Sequence, residues 1–179
     1  MNLDIKILAY HEAVPDDVDL IIEAWQRERP DLDVTPLHAL SRLTRFAQRL
    51  DRERRRSFAL HGLATWEFDV LAALRRAGEP YALSPGSLGA LTHVTSGTMT
   101  NRIDRLQERG LVDRQPDPSD RRGVRVVLTA SGLAAVDSAL QDLVGKEREI
   151  LAPLTAAERD ELADLLRRLM DNPGQDLEK

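Results

Sequence analysis

The chain has 179 residues, of which 42% are hydrophobic and 4% aromatic; it contains no cysteine and carries a formal net charge of −5. This length fits one domain, or one domain with helical extensions, and a composition rich in leucine and alanine predicts a helical interior. The lack of cysteine excludes disulfides and thiolate metal sites, and no apolar stretch approaches the roughly 18 residues of a membrane-spanning helix. Because the N-terminus also lacks the basic region of a secretory signal, we expect a cytoplasmic protein that does not enter a membrane.

The negative net charge is concentrated at the start of the chain. Residues 1–33 contain nine acidic and three basic residues, which leaves a net charge of +1 for residues 34–179. Binding to nucleic acid depends on a local basic surface rather than on the total charge of the protein. The acidic composition therefore does not exclude a DNA-binding function.

Helical periodicity begins after residues 1–15, which have no clear pattern and are interpreted as an arm. Apolar residues then follow the spacing i, i+3, i+4, i+7, which predicts one buried stripe of an amphipathic helix. The stripe consists of Val18, Ile21, Ile22 and Trp25. This helix ends before Pro30, because the residue before a proline avoids the helical conformation.

Two further helices are predicted before the middle of the chain. One begins at Thr35-Pro36, where a cap precedes a proline at the first helical position, and it ends before Gly62. The next has Thr65 as its predicted cap and directs Trp66 and neighbouring aliphatic residues inward.

The pattern then predicts two short helices followed by two strands. Ser84-Pro85 begins the first short helix, and Thr95 or Ser96 caps a second that ends at Gly110. Strands are predicted at 111–112 and 124–128, and the segment between them is rich in turn-forming residues. Two C-terminal helices follow, one after residues 129–132 and one after the capping box at 155–158.

The order helix, short helix, short helix, strand, turn, strand is that of a winged helix-turn-helix, and the helix at 95–109 is the predicted recognition helix. Met99, Ile103 and Leu106 form its anchoring stripe. Short polar side chains on the rest of its N-terminal half would allow close approach to base edges in the major groove. The predicted DNA contacts on this helix are Thr95, Ser96, Gly97, Thr98, Thr100, Asn101 and Arg105. A well-capped helix on a solvated face is the alternative.

The turn between the strands predicts a DNA-binding wing. Arg121 and Arg122 lie in a Pro/Gly/Asp-rich segment, and arginines inserted into a narrow minor groove meet its enhanced negative potential. Asp120 can accept a hydrogen bond from an arginine and orient it. A solvated loop is the alternative, but the position two strands after a recognition-type helix favours the wing.

Several blocks of sequence between residues 62 and 132 occur in an order and spacing typical of one family. They are Trp66-Glu67-Phe68-Asp69-Val70-Leu71, Met99-Thr100-Asn101-Arg102-Ile103-Asp104-Arg105-Leu106, Gly110-Leu111-Val112-Asp113-Arg114, Asp117-Pro118-Ser119-Asp120-Arg121-Arg122-Gly123 and Leu128-Thr129-Ala130-Ser131-Gly132. With these blocks the chain resembles the multiple-antibiotic-resistance regulator (MarR) family over residues 34–171.

This resemblance implies a mainly α fold, in which a winged helix-turn-helix at 62–130 is joined to a helical dimerisation region formed by 34–61 and 131–171. Residues 1–33 are then an arm and an extra helix, and residues 172–179 a tail. The family implies an obligate homodimer that binds double-stranded DNA at a pseudopalindromic operator, with its recognition helices about one helical turn apart. Repression is the expected outcome of such binding.

The extra N-terminal helix resembles that of the urate-responsive branch of the family. The resemblance implies a ligand site at Trp25, Asp69 and Arg102, with Arg114 as a further charged member. The implied ligand is a small anion: a urate-like purine, a phenolic acid or a tricarboxylate. The alternative is that Trp25 is a core residue and that Asp69 and Arg102 form an ordinary packing pair.

Other functional classes have weaker support. The sequence has no Gly-rich phosphate loop, no Gly-x-Ser-x-Gly elbow and no metal-spaced histidine motif, so catalytic residues, metals and cofactors are not expected. A winged helix used for protein–protein contact would not need Arg121 and Arg122 in its turn. A regulator without a ligand, in which residues 16–33 thicken the dimer, remains an open alternative.

Overall fold

The computed structural model describes residues 15–118, 120 and 123–171. These residues form seven helices and three strands: α1 (Asp17–Glu28), α2 (Pro36–Leu60), α3 (Thr65–Arg76), β1 (Ala82–Leu83), α4 (Pro85–Leu91), α5 (Ser96–Glu108), β2 (Val112–Pro116), β3 (Val124–Leu128), α6 (Ala130–Ile150) and α7 (Ala156–Met170). The chain divides into two compact units, Met1–Arg52 and Glu53–Lys179. The predicted N-terminal arm before Pro15, the tail at 172–179 and the arginines of the wing tip lie outside the described residues.

In the first unit, a charged cluster ties the start of α1 to α2. The side chain of Asp16 accepts hydrogen bonds from the backbone N–H groups of Val18 and Asp19, which caps the helix. Arg42 donates to Asp16 Oδ2 at 2.8 Å and to Asp19 Oδ1 at 2.6 Å, and this guanidinium lowers the pKa of both carboxyls.

The predicted apolar stripe of α1 is only half correct. Val18 and Ile22 are buried, whereas Ile21 is exposed and Trp25 is 49% exposed. The helix therefore buries two positions one turn apart and leaves its other apolar positions on the surface. Trp25 is not a core residue of this chain.

In the second unit, the hydrophobic core forms around α3. Phe58 at the end of α2 stacks on Phe68 with ring centroids 4.1 Å apart, and Val70, Leu71 and Leu74 are fully buried beside them. The prediction that Thr65 caps α3 is wrong, because the N-cap residue is Ala64. Its backbone N–H donates to Glu67 Oε2 at 2.8 Å, which is the glutamate half of a capping box, while the alanine side chain offers no acceptor to the first turn of the helix.

The three strands form one antiparallel sheet in the order β1-β3-β2. Val112 pairs with Leu128 and Ala82 pairs with Val127. The sequence pattern did not predict β1, because two residues are too few to show alternation. Strands β2 and β3 lie between α5 and α6 in the chain and form the hairpin of the wing.

The C-terminal helices bury little of their apolar surface. Helix α6 buries Val136, Ala139 and Leu143 but leaves Leu140 and Val144 exposed. Helix α7 begins with the predicted capping box at Thr155 and has no buried residue, and its apolar side is open. The exposed leucines of α7 are Leu162, Leu165 and Leu169. None of the helices in the described parts of the chain is long and apolar enough to cross a bilayer.

Candidate nucleic-acid interface and effector site

Helix α5 has the anchored side that the sequence predicted. Met99, Ile103 and Leu106 are all buried in the core of the second unit. Thr95, rather than Ser96, is the N-cap, and its Oγ1 accepts a hydrogen bond from the backbone N–H of Thr98 at 3.3 Å. The division of α5 into a buried stripe and a free face is confirmed.

The predicted DNA contacts on α5 all lie on its solvent side. They are Thr95, Ser96, Gly97, Thr98, Thr100, Asn101 and Arg105, and each is exposed. The hydroxyl of Thr100 donates to the carbonyl of Ser96 at 3.0 Å, which keeps this side chain close to the helix axis. A β-carbon at Gly97 would meet no atom within 4 Å. The N-terminal half of α5 is therefore a low, polar surface that a DNA groove could approach closely.

Backbone pairing and hydrogen bonds hold the described residues at the end of the β2–β3 hairpin. Pro116 pairs with Val124, and the backbone N–H of Asp117 donates to the carbonyl of Gly123 at 2.9 Å. A second bond closes the loop, from the N–H of Gly123 to the carbonyl of Asp120 at 2.8 Å. Asp120 is exposed, as a residue of a wing tip should be. Arg121 and Arg122 lie outside the described residues, so their role stays a prediction.

Asp69 and Arg102 belong to one electrostatic cluster between α3 and α5. Asp69 is exposed, but the surrounding protein still raises the pKa of its carboxyl by desolvation. The positive charges of Arg102, Arg54 and Arg76 act in the opposite direction and lower that pKa. The structure thus brings together two of the four predicted ligand residues.

Arg114 lies on another side of α5. Its Nη1 donates to Gln107 Oε1 at 2.7 Å, and its Nη2 donates to Asp104 Oδ1. Asp104 and Arg102 are two positions apart on α5, and at about 100° per residue their side chains leave the helix in nearly opposite directions. The structure therefore does not bring Arg114 to Arg102. Trp25 belongs to the first unit, whereas the other three predicted ligand residues belong to the second.

The sequence pattern missed the aromatic partner of Arg102. The guanidinium carbon of Arg102 lies 5.5 Å from the ring centroid of Trp66, within the range of a cation–π contact. Trp66 was predicted to point inward and is instead half-buried. The available signal was its position three residues before Asp69, which places both side chains on one side of α3.

A second missed pair joins the end of α5 to the start of α3. Glu67 is only 5% exposed, and its Oε2 accepts from Arg109 Nη1 at 2.5 Å. Arg109 Nη2 donates to the carbonyl of Gly62 at 2.9 Å. Since Arg109 is the C-cap residue of α5, this pair holds the recognition helix against the loop before α3.

Two depressions accompany these residues. A small hollow of about 290 Å³ is lined by Trp66, Thr98, Asn101, Arg102 and Arg105. A larger groove of about 930 Å³ lies elsewhere, between the end of α2 and α6, where Leu60 is 79% exposed beside Leu140 and Val144. The small hollow combines positive charge with an aromatic face, whereas the larger groove exposes aliphatic side chains.

Comparisons with known proteins agree with this geometry. The family model described as MarR family matches residues 61–123. The HTH-type transcriptional regulator PecS of Dickeya dadantii is 39% identical over 153 residues, which are 86% of this chain and 92% of PecS. The multiple antibiotic resistance protein MarR of Escherichia coli is 37% identical over 106 residues, which are 58% of this chain and 71% of MarR.

A solved structure extends the comparison to DNA. The crystal structure of a cysteine-to-serine mutant of MarR from E. coli in complex with operator DNA has a TM-score of 0.62 and 32% identity to this chain. The match covers 77% of this chain and 99% of that one. Its winged helix-turn-helix and its similarity to these regulators show that the chain belongs to the MarR family of DNA-binding transcriptional regulators.

Proposed function

We propose that this regulator is a homodimeric repressor that binds a pseudopalindromic operator and is released by a small anionic effector. The observation that carries the proposal is the double role of α5. Its exposed polar face is suited to the major groove, while Arg102 on the same helix lies against Trp66 and in the field of Asp69. An effector that binds Arg102 would therefore act directly on the helix that reads DNA.

The proposed DNA contacts are divided between the helix and the wing. Residues 95–101 and Arg105 would read the major groove and the neighbouring phosphates, in line with their exposure. Arg121 and Arg122 would occupy the flanking minor groove or contact its phosphates, and Asp120 would accept a hydrogen bond from one of them and orient it. This arrangement is supported by the related MarR structure, which holds operator DNA.

The proposed dimer is supported by the unburied apolar sides of the C-terminal helices. An amphipathic helix with no buried residue, such as α7, loses little water from its apolar side unless another surface covers it. A second copy of the chain is the proposed cover, with dimerisation through residues 34–61 and 131–171. A two-fold axis would then place two recognition helices on two half-sites.

The proposed effector is a planar or multiply charged organic anion, such as a urate-like purine, a phenolic acid or a tricarboxylate. Arg102 would pair with its negative charge, and Asp69 would accept a hydrogen bond from a ring N–H. Trp25 and Arg114 are included in the proposed effector site because they match the ligand residues that the family resemblance implies. Release requires the effector to bind more tightly to the arrangement that does not fit DNA.

The test is binding of the purified protein to labelled DNA from upstream of its own gene, titrated with urate, xanthine, salicylate and citrate. We expect one of these compounds to release the DNA from the wild type and to need a roughly 10- to 100-fold higher concentration with Arg102→Gln, because the charge-assisted pair is lost. Arg27→Gln is the matched control, since it removes one positive charge from an exposed position of α1. Tight DNA binding that none of the compounds weakens would overturn the effector proposal and favour a regulator without a ligand.

A further inference from the structure

Arg102 differs from three other arginines of the second unit, each of which donates to a carboxylate. Arg109 donates to Glu67, Arg114 donates to Asp104, and Arg75, which also lies over the ring of Tyr81, donates through Nε to Asp137. Arg102 instead lies over the indole of Trp66. Within residues 15–118, 120 and 123–171, no side-chain hydrogen bond or ion pair of Arg102 accompanies this contact.

The chemical consequence concerns the N–H groups of the guanidinium. A carboxylate occupies the donors of the arginine that it pairs with, and those donors are then lost to any other anion. An aromatic face attracts the guanidinium through its π surface and leaves the donors at the edge of the plane free. Arg102 is thus fixed in direction while its hydrogen-bonding capacity remains available.

The indole itself is held in place by the core. Trp66 is half-buried and packs against the hydrophobic cluster of the second unit. Its position in the first turn of α3 is further secured by the Glu67–Arg109 pair beside it. A rigid aromatic surface of this kind limits the number of rotamers that a long arginine side chain can adopt, which lowers the entropy lost on binding.

We propose that Trp66 is a positioning residue for effector recognition: its indole face orients the Arg102 guanidinium so that the free donor edge meets the anionic group. The proposal rests on the proposed function, in which Arg102 binds the effector. Trp66 acts through Arg102 and does not itself pair with the anion. The small hollow that both side chains line provides space for an anion beside Arg102.

A double-mutant cycle tests this dependence. Trp66→Leu removes the aromatic face and keeps an apolar side chain, and Trp66→Phe restores an aromatic ring. Effector affinity is measured by the release of labelled upstream DNA with urate and, in parallel, with salicylate. We expect Trp66→Leu to weaken the effector roughly 2- to 30-fold, Trp66→Phe to recover much of that loss, and Trp66→Leu to have no further effect in the Arg102→Gln background.

The outcomes separate this proposal from the one on which it rests. If the wild type does not respond, or Arg102→Gln responds like the wild type, the proposed effector function fails and this inference fails with it. If Arg102→Gln weakens the response but Trp66→Leu responds like the wild type, only the positioning role is overturned. An equal loss from Trp66→Leu with and without Arg102 would show a general structural effect and would also overturn it.

A spectroscopic measurement avoids any change at Trp66. The chain has two tryptophans, so Trp25→Phe leaves Trp66 as the only indole fluorophore. In that background we expect Arg102→Gln to shift the emission intensity or maximum, because it removes the cation from the indole face. Arg105→Gln is the matched control, since Arg105 lines the same hollow but, among the described residues, the cation–π contact of this ring is made by Arg102. Identical emission from the two variants would overturn the contact in solution.

Discussion

Gly132 lies so close to Leu111 that a β-carbon at position 132 would meet the Leu111 carbonyl oxygen at 2.0 Å. This contact sets α6 directly against the residue that precedes β2. Thr129 strengthens the same junction, because its Oγ1 donates to the carbonyl of Gly110 at 2.7 Å. Position 132 at the junction between the wing sheet and α6 therefore requires glycine because there is no room for a side chain, and not because the backbone has an unusual conformation.

The first prediction follows from that contact. Gly132→Ala should lower the free energy of unfolding by about 2–4 kcal/mol, because backbone atoms must move to admit the methyl group. Gly97→Ala is the control, since its new methyl group meets open space and a helical alanine stabilises by roughly 0.5–1 kcal/mol relative to glycine. Urea denaturation of both variants measures the difference, and equal stabilities would contradict the close contact.

The second prediction concerns the pair that holds the end of α5. Arg109→Ala should destabilise the protein by about 1–3 kcal/mol, because Glu67 would remain buried without its guanidinium partner. Glu67→Gln should cost less, since the amide still accepts the hydrogen bond from Ala64. Thermal denaturation compares the two variants. A smaller loss for Arg109→Ala than for Glu67→Gln would argue against a buried ion pair.

The third prediction uses the pKa of Asp69, which partial desolvation by the surrounding protein raises above its usual value of 3.8. Because the folded protein holds this proton more tightly than the unfolded chain, the associated stability is present at low pH and decreases as the pH rises through the folded-state pKa. Asp69→Asn does not titrate and should be more stable than the wild type near neutral pH. Unfolding experiments across the acidic range should show this advantage decreasing as the pH falls.

The fourth prediction tests the wing. Arg122→Ala should weaken operator binding by about 1–3 kcal/mol and reduce the dependence of the logarithm of affinity on the logarithm of salt by roughly one unit. The measurement is a series of DNA titrations at increasing salt concentration. Arg27→Ala serves as the control for loss of a positive charge far from the wing in sequence. Wild-type affinity at every salt concentration would exclude a DNA contact by Arg122.

The fifth prediction addresses the proposed dimer. Leu165→Arg places a charge on the open apolar side of α7 and should shift the protein from dimer to monomer in sedimentation experiments. Leu91→Arg on α4 changes a leucine of similar exposure and should leave the dimer intact. A wild-type protein that sediments as a monomer would contradict the proposal.

The sequence alone determined those features that depend on local spacing. Met99, Ile103 and Leu106 repeat at the helical period, so their burial on one side of α5 could be predicted without knowledge of what covers them. The capping box at Thr155 and the β-branched run of β3 are local signals of the same kind. Where the local signal was weak or ambiguous, as for β1 and the cap of α3, the prediction was absent or wrong.

Only the tertiary structure decided which side chains meet. Arg102 contacts Trp66 of α3, whereas Arg114 of β2 reaches Asp104, because residues 102 and 104 leave α5 in different directions, and periodicity does not encode which neighbouring surface an arginine will face. Burial is likewise a property of the assembled unit: α1 and α7 have similar amphipathic patterns, yet Val18 and Ile22 are covered and no residue of α7 is. A repeat in sequence specifies that a side of a helix is apolar, whereas the cover comes from segments distant in the chain or, as proposed for α7, from another copy of it.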